Sequence, residues 1–268
     1  MMNARKISSL LDNLLEVKDF TDVSNNGLQV DNSGKEVSKI VTGVDASQEF
    51  FEHAVECGAD MVICHHGISW GDSLKRITGL NYKNIKILID NDIALYACHL
   101  PLDAHAVYGN NAQIVKVLGL QNIQPFGEYH GNIIGFSGEF EMPMDYGDFK
   151  KLVLEKISKS IQTMDFGKDK VKSVAVISGG AAGDVVQAGE GGFDVYLSGE
   201  AGLIAYSPAR EYGVNAVFAG HYKTEVFGVK AVAQFLKKEY EIDAVKHPLY
   251  IPPPLCEAEL LRIVTPSR

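Results

Sequence analysis

Cysteine is scarce in this 268-residue chain, and the cysteines are not arranged in pairs. Cys57, Cys64, Cys98 and Cys256 show none of the short spacings of disulfide frameworks or zinc ribbons. The sequence therefore predicts reduced thiols and a cytoplasmic location. Long hydrophobic runs are also missing, since no stretch approaches the roughly 18 apolar residues of a membrane span. The segment Met1–Asp12 lacks the apolar core of a secretory signal, so we expect no membrane association.

Positive charge is also in deficit. The chain has 25 Lys and Arg against 34 Asp and Glu, a formal net charge of −9. This balance disfavours nucleic acid as the main ligand, because binding phosphates requires basic surface. It is compatible with an anionic small molecule, because bound divalent cations reverse the local field. The composition, 46% hydrophobic and 22% charged, is typical of a globular protein with one large domain or two ordinary ones.

Short apolar segments alternate with helical patterns along the chain. This alternation predicts an α/β protein built from two α/β domains with largely parallel sheets. A change in composition predicts an N-terminal domain at residues 1–125 and a C-terminal domain at residues 126–268, without a long linker. The halves also share local patterns, since Gly58-Ala59-Asp60 and Gly192-Phe193-Asp194 precede corresponding strands. We therefore expect polar residues at strand carboxyl ends in both halves, where open α/β sheets bind ligands.

Two adjacent histidines, His65 and His66, follow the apolar strand predicted at Met61–Cys64 and precede Gly67. Imidazole is the commonest metal ligand among protein side chains, and neighbours on an extended backbone point to opposite sides. The pair therefore suits two metal ions better than one. A pair of exposed turn histidines is the alternative, and this stretch alone does not decide between the two interpretations.

Other imidazole and carboxylate groups follow other predicted strands. His221 and Glu225 are four residues apart at the start of a predicted helix, so their side chains share one face. Taken alone, this pair is better explained as a surface histidine and a glutamate favoured by the helix dipole than as a pair of metal ligands. Asp103, alone, fits an ordinary turn residue. Together with His65 and His66 they provide three imidazoles and two carboxylates, which match a two-metal hydrolytic site.

A series of ordered motifs, spanning about residues 24 to 235, resembles the NIF-three-like family of dinuclear metal proteins, commonly named GTP cyclohydrolase I type 2 homologues. In chain order the motifs are Ser24-Asn25-Asn26-Gly27-Leu28-Gln29-Val30, Val44-Asp45-Ala46-Ser47, His65-His66-Gly67, His99-Leu100-Pro101-Leu102-Asp103, Gly109-Asn110-Asn111, Ser178-Gly179-Gly180, Leu197-Ser198-Gly199-Glu200 and Gly220-His221-Tyr222-Lys223-Thr224-Glu225.

The resemblance implies two α/β domains sharing a site for two divalent metal ions, and a ring-shaped homohexamer. Because Phe140 and the strand at Val174 are close in sequence, the chain resembles the short form without the inserted domain. Mixed nitrogen and oxygen ligands are compatible with zinc, iron, manganese, cobalt or nickel. The tail, residues 247–268, matches none of these motifs, and packing back on the first domain is one alternative for it. The metal ligands that the resemblance implies are the same five residues: His65, His66, Asp103, His221 and Glu225.

Other candidates carry less specific signals. His99, four residues before Asp103, is interpreted as a residue that supports the ligands from outside, with direct ligation as the alternative. His105 and His130 are interpreted as loop residues, with proton transfer as the alternative. The glycines at residues 179–183 suggest a phosphate cradle only weakly, because the lysine and the spacing of a P-loop are absent.

The first functional hypothesis is a metal-dependent hydrolase that acts on a small, nucleotide-like substrate through a metal-activated water. For GTP the attack would fall on C8 of the purine, but GTP follows only from the family label, and the acid–base residues stay unassigned. A phosphoesterase would use the same site. The second hypothesis is a non-catalytic metal-binding or regulatory protein that acts through partners.

Overall fold

The structure is a computed structural model, and it describes residues 2–247. Two sheets with helices packed against them confirm the predicted α/β class. The strands are β1 (Gly27–Val30), β2 (Lys39–Asp45), β3 (Met61–His66), β4 (Ala94–Ala97), β5 (Gln121–Tyr129), β6 (Asn132–Asp145), β7 (Gln162–Met164), β8 (Lys170–Val176), β9 (Val195–Ser198), β10 (Asn215–Phe218) and β11 (Asp243–Lys246). The α-helices are α1 (Ala4–Leu14), α2 (Gln48–Glu56), α3 (Gly79–Asp90), α4 (Leu100–Ala104), α5 (Asn110–Val117), α6 (Tyr146–Lys156), α7 (Val185–Glu190), α8 (Tyr206–Tyr212) and α9 (His221–Tyr240).

The first sheet has the strand order β1-β4-β3-β2-β11. Its strands pair in parallel except for β1, which lies antiparallel to β4 at the edge. The central strand β3 is buried from Met61 to His65, as its continuous apolar run predicts for a strand covered on both faces. Its carboxyl end therefore opens at the middle of the sheet edge, with β2 and β4 on either side.

The second sheet has the strand order β5-β6-β8-β9-β10-β7. Strands β8, β9 and β10 are parallel, and antiparallel strands flank them on both sides. A core of Val174, Val195, Leu197 and Val217 fills one face of this parallel centre. Both sheets thus have parallel centres, so each directs the carboxyl ends of its buried strands to one edge.

The chain leaves the second sheet after β10 and returns to the first. Helix α9 contributes Val229, Val232 and Leu236 to the same core as α1 and the first sheet, and β11 then pairs in parallel with β2. The predicted division near residue 125 stays a prediction, while β11 shows where the end of the described chain packs. Of the predicted tail, residues 248–268 lie outside the described residues. Within residues 2–247, none of the helices has the length and apolar character needed to cross a membrane.

The same carboxylate motif occurs once in each sheet, at the aspartates of Gly58-Ala59-Asp60 and Gly192-Phe193-Asp194. Oδ2 of Asp60 accepts hydrogen bonds from the Ser38 N–H, the Ser38 hydroxyl and the Lys39 N–H, at 2.9–3.0 Å. Oδ2 of Asp194 accepts the equivalent three bonds, from Ser173 and from the Lys172 N–H, at 2.9–3.2 Å. In each case a carboxylate just before one strand accepts three hydrogen bonds from a serine and a lysine of the neighbouring segment, at the start of β2 or within β8.

The substitution Asp194→Asn should lower the free energy of unfolding at pH 7 by about 2–3 kcal/mol, because hydrogen bonds to a charged acceptor are lost. Burial alone would raise the pKa of Asp194, but Lys168 and the N–H donors outweigh it and lower the pKa. A lowered folded-state pKa stabilises the protein above the unfolded-state value of about 4, and this contribution is lost as the pH falls below it. The deficit of the variant in urea unfolding should therefore shrink towards pH 3.

A suitable control is Asp72→Asn, because Asp72 forms an exposed ion pair with Lys75 at 3.1 Å. Its effect on the free energy of unfolding should stay below about 1 kcal/mol. Equal losses in the two variants would contradict a structural role for the Asp194 carboxylate.

Candidate metal centre

The five residues predicted as metal ligands come together between the two sheets. His65 and His66 are the last two residues of β3, and Asp103 lies in α4, just after β4. His221 and Glu225 occupy the first two turns of α9. Gly220, with φ of +95°, lets the chain turn from β10 into this helix. The site therefore combines the carboxyl ends of strands from both sheets, where α/β proteins commonly bind ligands.

The Glu225 carboxylate stands at the centre of the site. Its Oε1 lies 2.9 Å from Nε2 of His221 and 3.6 Å from Nε2 of His65. Its Oε2 lies 3.4 Å from Nε2 of His66. One carboxylate thus contacts three imidazole nitrogens that come from two different elements.

Asp103 adds the second carboxylate from the side of His65. Its Oδ2 lies 3.5 Å from Nε2 of His65. Its Oδ1 accepts hydrogen bonds from Nδ2 of Asn110 at 2.8 Å and from the Ser178 hydroxyl at 3.0 Å. The carboxylate is therefore held in place by one oxygen, and the other faces the imidazoles.

Each of the three imidazoles is oriented through its other nitrogen. Nδ1 of His65 donates to the Cys98 carbonyl at 2.9 Å. Nδ1 of His66 and Nδ1 of His221 face the carboxylates of Asp45 and Glu200, each at 2.8 Å. An acceptor at Nδ1 leaves Nε2 as the nitrogen that faces Glu225, which is how proteins orient histidines for metal binding.

The sequence motifs by themselves assign no role to Asp45 or Glu200. A usable signal was present, because each carboxylate stands at the carboxyl end of a buried parallel strand, β2 or β9. Asp45 is in direct register with His66 across the β2–β3 pair. The register is set by the folded sheet, so the pairing of the two side chains could not be derived from the separate motifs.

The electrostatics of the site are those of a buried cluster of opposite charges. Burial lowers the pKa of His65, but Asp103 and Glu225 outweigh it and raise the pKa to about 9. Burial also opposes the charged form of His221, but Glu225 and then Glu200 raise its pKa to about 9. Burial would raise the pKa of Glu225, and the neighbouring imidazoles lower it well below its usual range. The carboxylates therefore stabilise the protonated, positively charged forms of His65 and His221.

The donor set fits a metal ion better than it fits protons alone. Nε2 of His65 and Oε2 of Glu225 are buried and form no hydrogen bond within the described chain. A buried polar atom without a partner is costly, and metal coordination would satisfy both atoms. Ligand atoms of His66, His221 and Glu225 lie within 4.8 Å of one another, and so do those of His65, His66 and His99. The geometry therefore provides possible metal-binding groups of histidine and glutamate side chains.

Comparison with known proteins identifies the family. A family model described as Duf34/NIF3 (NGG1p interacting factor 3) matches residues 2–250. The chain belongs to the Duf34/NIF3 family. This confirms the family resemblance of the motifs. A relative named GTP cyclohydrolase 1 type 2 homolog, from Archaeoglobus fulgidus, is 39% identical over 91% of this chain and 97% of its own length. A relative of the same name from Pyrococcus horikoshii is 40% identical with the same coverage.

Solved structures of similar proteins show the same fold. The protein ybgI has a TM-score of 0.87 and 34% identity, over 95% of this chain and all of the other. TTHA1606 from Thermus thermophilus has a TM-score of 0.85 and 31% identity, again over 95% of this chain and all of the other. The Duf34/NIF3 fold therefore extends over nearly the whole chain.

The glycine segment after β8 packs against the candidate metal site through Gly179. The Gly179 N–H donates to the Thr224 hydroxyl at 3.0 Å, and the Gly179 carbonyl accepts from the N–H groups of Gly199 and Glu200. A Cβ at Gly179 would lie 2.3 Å from Oε1 of Glu225. Because these backbone groups are already paired, Gly179 is not available for the phosphate cradle that the glycine pattern weakly suggested.

The remaining histidine candidates lie in different environments, one beside the site and two in loops. His99 lies against the site, with its ring centroid 5.1 Å from that of His65, whereas His105 and His130 take part in loop structure. Nδ1 of His105 accepts the N–H groups of Val107 and Tyr108. His130 adopts a positive φ of 51° in the turn between β5 and β6.

Proposed function

We propose that this Duf34/NIF3 protein is a dinuclear divalent-metal hydrolase that acts on a small, nucleotide-like substrate. The observation that carries the proposal is the position of the Glu225 carboxylate, buried within 3.6 Å of three imidazole nitrogens. A buried carboxylate surrounded in this way suits a ligand shared by two ions. The names of the relatives support a nucleotide substrate only as a class.

In this proposal His65, His66, Asp103, His221 and Glu225 hold the ions. Bound divalent ions would supply a water of lowered pKa and polarise the bond that it attacks. The chain itself contributes orientation, because Asp45, Glu200 and the Cys98 carbonyl fix the three imidazoles. It also excludes water from one side of the site, where His65 and Glu225 are at most 3% exposed.

The substrate would enter on the side of His66 and His221, whose side chains are 19% and 35% exposed. Trp70 borders this side, with its ring centroid 5.8 Å from that of His66. Its indole N–H donates to the Gly67 carbonyl at 2.8 Å, which holds the ring beside the site. An aromatic wall of this kind suits a flat, partly apolar substrate such as a nucleobase.

The test is a metal analysis followed by a turnover screen of the same preparation. The metal content of purified protein should reach two divalent ions per chain at saturation. Turnover should be measured on GTP, on its ring-opened product and on bis(p-nitrophenyl) phosphate, before and after chelation and after reloading. Hydrolysis that follows the metal content supports the proposal, and the substrate that reacts decides between cyclohydrolase-type and phosphoesterase chemistry.

Saturation below two ions would overturn the dinuclear site. No turnover by the fully loaded protein would overturn the hydrolase and favour a metal-binding regulatory protein. The predicted homohexamer and the cytoplasmic location also stay proposals. Light scattering of the purified protein in solution tests the oligomer independently of the turnover screen.

A further inference from the structure

His99 is held beside the metal centre by a carboxylate that serves no predicted ligand. Nδ1 of His99 lies 3.0 and 3.2 Å from the two oxygens of Asp22. Oδ2 of Asp22 also accepts the Leu100 N–H at 3.0 Å and Nδ2 of Asn26 at 2.9 Å. Oδ1 accepts the Ser24 N–H at 3.0 Å. The Asp22 side chain is 2% exposed, so a buried carboxylate with several donors fixes the orientation of this imidazole.

The contact with Asp22 also selects the tautomer of His99. The Asp22 oxygens also accept the N–H groups of Ser24, Leu100 and Asn26, and these donors favour the ionised carboxylate. An ionised carboxylate can only accept, so the shared proton resides on Nδ1 of the imidazole. Because the Nδ1–H of His99 is directed at the Asp22 oxygens, Nε2 is the ring nitrogen left to act as an acceptor.

The ring of His99 forms one wall of the site without joining the cluster around Glu225. Its centroid lies 5.6 Å from that of His66 and 5.0 Å from that of Trp70. Within the described part of the chain, Asp22 is the only carboxylate within 4.0 Å of a His99 nitrogen. The other three imidazoles of the site all contact Glu225. His99 therefore stands next to the proposed metal positions, on the side that Trp70 borders.

We propose that His99 contacts the substrate directly and accepts a hydrogen bond through Nε2 from a substrate N–H or O–H group. Asp22 is the positioning residue that fixes the ring and its tautomer. The inference rests on the proposed function and narrows its substrate class to molecules with a donor beside the reacting bond. A purine ring with N–H donors meets this requirement, whereas a phosphodiester without donors does not.

The first test is a long-range proton–nitrogen NMR spectrum of zinc-loaded protein labelled at histidine. The His99 signals are assigned by their absence in His99→Gln. We expect a protonated Nδ1 and an unprotonated, metal-free Nε2 in the unmodified protein. In Asp22→Asn the amide can donate to Nδ1, so the proton should move to Nε2, as expected when the orienting carboxylate of a histidine is neutralised. His130→Asn, in an exposed turn that tolerates asparagine at positive φ, is the control and should leave these signals unchanged.

The second test compares binding of two probes to the metal-loaded variants by calorimetry. Asp22→Asn and His99→Gln should keep the metal content of the unmodified protein but bind GTP about fivefold to tenfold more weakly, the effect of one lost hydrogen bond. Binding of bis(p-nitrophenyl) phosphate, which has no N–H or O–H donor, should not change. Unequal loss for the two probes supports a substrate contact, and equal loss overturns it.

Other outcomes overturn the inference directly. A metal-bound Nε2, or loss of metal in His99→Gln, would make His99 a ligand. An unchanged tautomer in Asp22→Asn would remove the role of Asp22. Failure of the proposed function can be distinguished from failure of this inference. In that case the unmodified protein itself would bind no metal or would bind neither probe.

Discussion

Glu225→Gln is expected to remove tight metal binding while the fold is retained. Glutamine has the size of glutamate but no negative charge, and it cannot be shared between two cations. Loss of an orienting partner of a ligand typically weakens metal affinity 10–100-fold, so the loss of this central carboxylate should exceed about 100-fold. Metal analysis after dialysis should show the difference directly.

Thermal unfolding provides a second measurement of the same change. A metal that binds the folded chain stabilises it by about 2.7 kcal/mol at a concentration 100 times its Kd. Added zinc should therefore raise the Tm of the unmodified protein and leave that of Glu225→Gln almost unchanged. Glu239→Gln, on the exposed last turn of the same helix α9, is the matched control and should behave like the unmodified protein. A variant at position 225 that still binds two ions with unchanged affinity would show that Glu225 is not a ligand.

Gly179→Ala is expected to damage the same site from the backbone side. Gly179 has φ of +72°, and an alanine in this left-handed region costs about 1–2 kcal/mol. The added Cβ would also stand 2.3 Å from Oε1 of Glu225 and 3.3 Å from Nε2 of His221. The carboxylate has to move, so it leaves the imidazoles that it now contacts. We expect a metal affinity at least about 10-fold lower and a free energy of unfolding about 2–4 kcal/mol lower.

Gly183→Ala is the matched control for this prediction, because it lies in the same loop and its Cβ would meet only the Ile204 side chain at 3.5 Å. That is ordinary van der Waals contact, and Gly183 has no positive φ. Metal titration should therefore show weaker binding, and urea unfolding a lower free energy of unfolding, for Gly179→Ala than for Gly183→Ala. If Gly179→Ala binds metal as tightly as Gly183→Ala, the close approach of Gly179 to Glu225 has no functional importance.

Periodicity and motif order were sufficient to predict the α/β class. Strand β3 was predictable because a continuous apolar run is required wherever both faces of a strand are buried. Helix α9 was predictable at its start, because His221 and Glu225 precede an apolar pattern with helical spacing. The short edge strands β7 and β11 were not predicted. They are only three and four residues long, and their position depends on neighbours that are distant in sequence.

The sequence by itself determined the chemistry available to this protein: adjacent histidines after a buried strand, an aspartate after the next strand, and a histidine and a glutamate on one helix face. Only the tertiary structure decided that the Glu225 carboxylate contacts three imidazoles, and that Asp45, Glu200 and Asp22 each orient a histidine. The physical reason is that side-chain identity is local, whereas these contacts depend on strand register and on the return of α9 to the first sheet. Two motifs more than a hundred residues apart meet only because both sheets must bury their apolar faces.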